Sequence, residues 1–218
     1  MNSFGQKLTR GALASVEKTK LTDVVLFQYN PETVTRTLAP RMTGYEPGKG
    51  PAEPSTDVGF SDAASQSISF TAYFDAADAL QNGDAMAIAH GIAPQLAILE
   101  SLMNPTVEAV TSAEGSTADG KMLIETMDAP GTVLIWGDRV LPVRIASVTI
   151  TEEAFDAKLN PLRANAAIKV DVQTYGKRKT TDIEYGRFKA YHGALETLKG
   201  PANPAGGAVS GLQSLLDR

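Results

Sequence analysis

The 218-residue chain carries 20 Lys+Arg against 25 Asp+Glu, a formal net charge of −5, 43% hydrophobic residues and no Cys. That apolar share is ordinary for a globular chain, while the absence of Cys excludes a disulfide scaffold, a thiolate zinc site, an iron–sulfur cluster and a Cys nucleophile. The acidic balance excludes a nucleic-acid binder that works through a broad basic face.

Residues 1–12 are polar and glycine-punctuated and read as a flexible start, with no apolar core of a secretory signal. Two strands are expected next, Leu13 to Lys18 and Val24 to Tyr29, the second rich in β-favouring residues (VVLFQY) and ended by Asn30-Pro31-Glu32. Residues 40–66 hold four Pro and four Gly and read as a long loop. Over Ser67–Asp75, Ile68, Phe70, Ala72 and Phe74 alternate with more polar neighbours, the period-2 pattern of a half-buried strand. The region Ala76–Met103 is expected to be helical. Its apolar residues Ile88, Ile92, Leu96, Leu99 and Met103 are spaced for one face, and Pro94 breaks it or starts a second helix. This stretch is the most apolar of the chain, yet His90, Pro94, Gln95 and Glu100 make it too polar for a membrane span of about 20 residues.

Residues 106–131 lack periodicity and read as a second long loop. TVLIWG (132–137) predicts a strand, Gly137-Asp138 a hairpin turn, and Val140–Thr151 a long strand. Val143 and Ile145 share one parity and Val148 and Ile150 the other, so a β-bulge is expected near Ala146-Ser147. After a loop Glu153–Leu162, Ala166, Ile168, Val170 and Val172 alternate as a last strand. Phe188, Tyr191, Leu195 and Leu198 then predict an amphipathic helix within 182–199, followed by the linker GPANPAGGA and an apolar tail.

Catalytic constellations are scarce. His90 and His192 lack metal-ligand spacing, and no nucleophile elbow, P-loop or dinucleotide fingerprint occurs. The carboxylates Glu152, Glu153 and Asp156 suit a solvated hairpin tip, and Lys177-Arg178-Lys179 a solvated strand end. No catalytic, cofactor or metal site is assigned, and a non-enzymatic role is expected.

Four motifs in order resemble a known family. Gln28-Tyr29-Asn30-Pro31-Glu32 after an apolar strand is similar to the opening signature of the contractile injection system tube-like domain. Tyr73-Phe74-Asp75 resembles its next motif, a strand closing in Phe-Asp before a helix. Trp136-Gly137, Phe155 and Asn160-Pro161-Leu162-Arg163-Ala164 resemble its ending. The resemblance covers about 13–176 and implies an antiparallel phage tail-tube-like β-barrel or sandwich with a packed helix and long loops, mainly β. It sets residues 177–218 apart as a C-terminal helical arm.

It further implies a structural subunit forming a ring, expected to be hexameric. That ring would be a baseplate hub or tube-end adaptor meeting the inner tube protein, the spike and other baseplate proteins, with no cofactor, no nucleic acid and no membrane insertion. Assembly in the cytoplasm and incorporation into a phage tail-like particle follow. A cap-proximal or tube-initiating subunit is the alternative within the family, and a peptidoglycan-binding module the alternative outside it. Many members carry a LysM module, and no LysM-like pattern follows residue 176, so peptidoglycan binding is not carried over.

The motif residues Asn30, Pro31, Glu32, Phe74, Asp75, Trp136, Gly137, Phe155, Pro161, Arg163 and Ala164 are read as structural. Asn30 is expected to bond local backbone, and Arg163 to pair with the acidic turn of Glu152, Glu153 and Asp156. Trp136 and Phe155 are expected to supply apolar area. Leu159-Asn160 stands where the family has Gly, with Asn160 expected to tolerate the left-handed turn.

Overall fold

A computed structural model describes residues 10–17, 20–43, 59–111, 131–176 and 179–202. The strands are β1 (Ala12–Glu17), β2 (Lys20–Leu26), β3 (Val34–Met42), β4 (Phe60–Asp75), β5 (Gly131–Trp136), β6 (Arg139–Phe155) and β7 (Pro161–Val172). The helices are α1 (Ala77–Gln81), α2 (Ala85–His90), α3 (Ala93–Ser101), a short α4 at residues 107–111, and α5 (Ile183–Ala202). The chain is mainly β, with all seven strands in one antiparallel sheet of order β2-β1-β5-β6-β7-β4-β3.

That sheet curls strongly. Were it flat, β2 and β4 would lie five strand spacings apart, about 24 Å. Yet Tyr29, three residues beyond β2 and so within about 10 Å of its end, bridges Tyr73 of β4. The Phe27 ring lies 5.2 Å from Phe70 of β4 and 6.3 Å from Trp136 of β5, and Phe70 lies 6.0 Å from Trp136. These three rings fill the inside of the curl. Gly11 is needed beside them, because a Cβ there would come within 2.7 Å of the Phe27 ring.

Alternation decides which face is inside. Ile68, Phe70, Ala72 and Phe74 of β4 and Ala164, Ala166, Ile168, Val170 and Val172 of β7 are all buried. On β6 the pairing register shifts between Ile145 and Ser147, and this bulge keeps both Ile145 and Val148 against the core. The Gly137-Asp138 turn, with Gly137 at φ 60°, joins Trp136 to its partner Arg139.

Several boundaries differ from expectation. The loop expected at 40–66 is narrower: residues 40–42 belong to β3 and 60–66 to β4. Strand β3 lacks a strong apolar alternation because all of Val34–Arg41 is exposed, so period-2 reasoning had nothing to detect. The loop expected at 106–131 loses 107–111 to α4 and Gly131 to β5, and 112–130 lie outside the described residues. The loop expected at Glu153–Leu162 shrinks to 156–160, since β6 runs to Phe155 and β7 starts at Pro161.

The expected helical region is three helices, with Pro94 in the first turn of α3. Ile92, Leu96 and Leu99 are buried, but Ile88 and Met103 are exposed. Gly91, at φ 59°, resets the helical phase between α2 and α3 and so removes Ile88 from the common face. Helix α5 packs on the open end of the sheet through Phe188 and Tyr191, while Leu198 is exposed.

Candidate functional site

The motif residues converge at one end of the long strands. Asp75 closes β4, and its Oδ1 accepts the Ala77 N–H (2.8 Å), which orients the start of α1. Its Oδ2 accepts from Arg163 Nε and pairs with Arg163 Nη2, both at 3.0 Å. The Gln28 side chain accepts the Asp75 N–H at 2.8 Å. Next to them Ala76 N–H bonds Leu162 C=O and Ile92 N–H bonds Pro161 C=O, each at 2.8 Å. A Cβ on Gly91 would meet Pro161 O at 2.0 Å, so only glycine lets the helices close against β7. The first, second and last motifs are thus one hydrogen-bonded knot.

One expected contact is replaced, and one residue reaches further than its own turn. Arg163 pairs with Asp75 rather than with Glu152, Glu153 or Asp156, because β4 and β7 are adjacent and in register at Asp75↔Arg163. Asn30 Oδ1 accepts the N–H of Gly11, nineteen residues away (3.1 Å), so it ties the chain ahead of β1 to the exit of β2. Pro31, Phe74, Pro161 and Ala164 are buried and Glu32 is exposed. Phe155 is 48% exposed, so it adds less to the core than expected, whereas Trp136 packs on Phe27 and Phe70.

The β6–β7 turn is built on Asp156. Its Oδ1 accepts the N–H groups of Lys158 (2.7 Å) and Asn160 (2.9 Å), and its Oδ2 accepts from the Asn160 side chain (2.8 Å). The Asn160 donors hold the Asp156 carboxyl below its ordinary range, with the Lys158 N–H and charge adding to them. Asn160 also reaches the Ala89 carbonyl of α2 at 3.1 Å. The left-handed residue is Leu159, at φ 65°, and not Asn160 as expected. Its side chain is 78% exposed.

The opposite end is polar. Residues 60–66 of β4 pair only with β3, forming a two-stranded ribbon beyond β7. Asp62 anchors it: Oδ2 accepts from Arg41 (2.8 Å), Thr174 (3.0 Å) and the Gly176 N–H (3.1 Å). Burial alone raises the Asp62 pKa, but the hydrogen bonds from Thr174, Ala63 and Gly176 and the Arg41 charge outweigh it and hold the carboxyl below its usual value. An open groove of about 680 Å³ lies along this ribbon, with Arg41, Arg144, Lys169 and Asp171 in its walls. Beside it Tyr175 meets His192 of α5 at 3.1 Å, and Arg36 donates to the Tyr191 hydroxyl at 2.9 Å.

Among the described residues no group of three or more His, Cys, Asp or Glu converges as a metal site, and no helix is long and apolar enough to cross a membrane. His90 is exposed on α2. Lys177 and Arg178 of the basic cluster lie outside the described residues. The surfaces that sequence reasoning missed are the ribbon and the Leu159 turn; the only sequence signals were the NPE break before β3 and the absence of Gly ahead of Pro161.

The family described as contractile injection system tube protein matches residues 6–181. No curated protein matches the sequence.

Proposed function

The chain belongs to the contractile injection system tube protein family, and from that premise we propose that it is a ring-forming subunit at the end of the inner tube, a hub or adaptor between tube and spike. The family implies a structural role, self-assembly and association with other components of the particle. The motif residues gathered around Asp75 and Arg163 serve that role as structure, and the chain carries no catalytic step of its own.

The observation that supports this reading best is the pair of sheet edges. Strand β2 exposes Leu21, Val24 and Leu26, and strand β3 exposes Val34 and Leu38. Among the described residues neither strand has a second partner. Long edges with exposed apolar side chains are templates for pairing with another chain. Because the two edges differ, β2 of one copy meeting β3 of the next is a head-to-tail contact, which closes into a ring when its rotation allows. Six copies is the symmetry the family resemblance implies. The solvent face of β3, β4, β6 and β7 carries Thr35, Ser69, Thr71, Ser147, Thr149 and Ala167 beside the cation Lys169, a mostly small and polar surface suited to a channel wall.

Negative-stain imaging of the purified chain tests this. Rings of one symmetry are expected, and a chain that stays monomeric at high concentration overturns the reading. Residues 203–218 act in the same proposal as an assembly arm: their removal is expected to reduce ring yield while thermal unfolding stays unchanged. A pelleting assay with peptidoglycan is expected to leave the chain in the supernatant.

A further inference from the structure

The Leu159 turn combines three features that folding alone does not require. A non-glycine residue in the left-handed region costs about 1–2 kcal/mol relative to ordinary backbone. Here the strained residue is Leu, and its side chain points mostly into solvent. The turn that presents it is held by Asp156 from one side and by the Asn160 bond to Ala89 of α2 from the other. The side chain is therefore a rigid apolar knob.

A matching hole lies at the other end of the same strand. Between the β3–β4 side and the β5–β6 side of the curl, Val34, Ile68, Leu134, Trp136, Leu141 and Tyr191, with the polar side chain of Gln66, line a cavity of about 170 Å³. A cavity of about 150 Å³ holds a benzene-sized group, which exceeds the isobutyl side chain of Leu. Its rim carries Arg36 and Arg139, with Asp138 next to Arg139 in the turn. The knob is flanked by Glu152, Glu153 and Asp156 against Lys158 and Arg163, and the Arg163 charge is taken up by Asp75. An acidic tip thus faces a rim with two guanidinium groups, and Arg139 makes no ion pair among the described residues.

Leu141 and Phe155 are fourteen residues apart on β6, a separation of up to about 46 Å. One copy therefore cannot fill its own hole. We infer that Leu159 of one copy seats in the Trp136–Leu141 cavity of a second copy, joining copies end to end along the strands, whereas the sheet edges join them side by side. Heterologous contacts of this kind propagate until something else caps them, so the tube end holds at least two layers of this chain. The inference rests on the self-assembling reading above.

The chain has no Cys, so the contact can be probed cleanly. Lys158→Cys and Asp138→Cys flank knob and hole and leave Leu159 and the cavity lining in place, while each removes the one charge there that opposes the pairing. With a short bis-maleimide, the double variant is expected to give a ladder of oligomers on a denaturing gel, and each single variant only monomer. Adding Leu159→Gly should reduce the ladder about tenfold or more, the factor that burial of one Leu side chain carries. The double variant truncated after Ala202 should give the same ladder. Rings in negative stain without a ladder overturn this contact and leave the ring reading standing; no rings and no ladder overturn both. A ladder that persists with Leu159→Gly, dimers from Lys158→Cys alone, or a ladder only after truncation also overturns it, the last because the tail of the chain itself then fills the hole.

Discussion

The two ends of the long strands are held by different physics. At the end where β6 turns into β7, three short helices bury Ile92, Leu96 and Leu99 and close onto Pro161 through Gly91. Stability there comes from apolar area, with the Asp75–Arg163 pair as a partly exposed clasp. At the other end a ribbon of two strands extends past the core, and a two-stranded ribbon alone is marginal in water. Asp62 holds it through polar bonds, and α5 adds aromatic packing among Tyr175, Tyr185 and Phe188. One end rests on apolar burial and is intolerant of volume change, with Asp156 in its surface turn the group there that acid would release; the other tolerates surface change and depends on a carboxylate for its anchor.

The largest expected effect is at the helical end. Leu99→Ala should destabilise by about 2–5 kcal/mol, because Leu99 is fully buried and truncation leaves a cavity. For a chain of this size that lowers the unfolding midpoint by roughly 5–15 °C, equally at pH 4 and pH 7 in calorimetry.

Next comes the ribbon. Asp62→Ala strips a charged acceptor from Thr174, Gly176 and Arg41 and should cost about 2–3 kcal/mol at neutral pH. The folded carboxyl titrates below its ordinary 3.8, so its contribution is present above that pH and is lost as pH falls through the lowered value. Acid unfolding should therefore separate wild type from Asp62→Ala above pH 4 and bring the curves together below it. Curves that stay parallel to the lowest pH remove Asp62 as the anchor.

Arg163→Ala should cost at most about 1 kcal/mol, since the guanidinium side chain is 57% exposed and solvent screens the pair. A loss of several kcal/mol in urea unfolding would instead make the clasp, and not apolar burial, the main support of the helical end. The smallest effect is Leu159→Gly, which relieves left-handed strain and adds unfolded-state freedom. Its net effect should lie between zero and about 1 kcal/mol of stabilisation, a rise of a few degrees at most in thermal unfolding. A measurable destabilisation would mean that the knob packs within its own chain.

Legibility from sequence followed local periodicity. Buried β7, the buried parity of β4 and the bulge at Ile145–Ser147 could be read because core-facing residues there alternate with polar ones. The start of α3 was readable from Pro94 and the hairpin from Gly137-Asp138. Strand β3 was not, because both of its faces meet solvent and its pattern carries no core signal. Ile88 fitted the helical spacing but fell off the face, since the left-handed Gly91 interrupts the period. The motif residues could be recognised individually, but their mutual contacts could not.

The sequence by itself determined the class of the fold, the inward face of its long strands, and, through four ordered motifs, the family. Each of these is set by local chemistry: side-chain alternation, turn residues and short signatures. Tertiary structure decided who meets whom. It paired Arg163 with Asp75, sent Asn30 to Gly11, made Asp62 the anchor of a ribbon and put Leu159 rather than Asn160 in the left-handed position. Those outcomes depend on how a seven-stranded sheet curls and which strands become neighbours, and contacts between residues 19 to 112 apart leave no period in the chain to read.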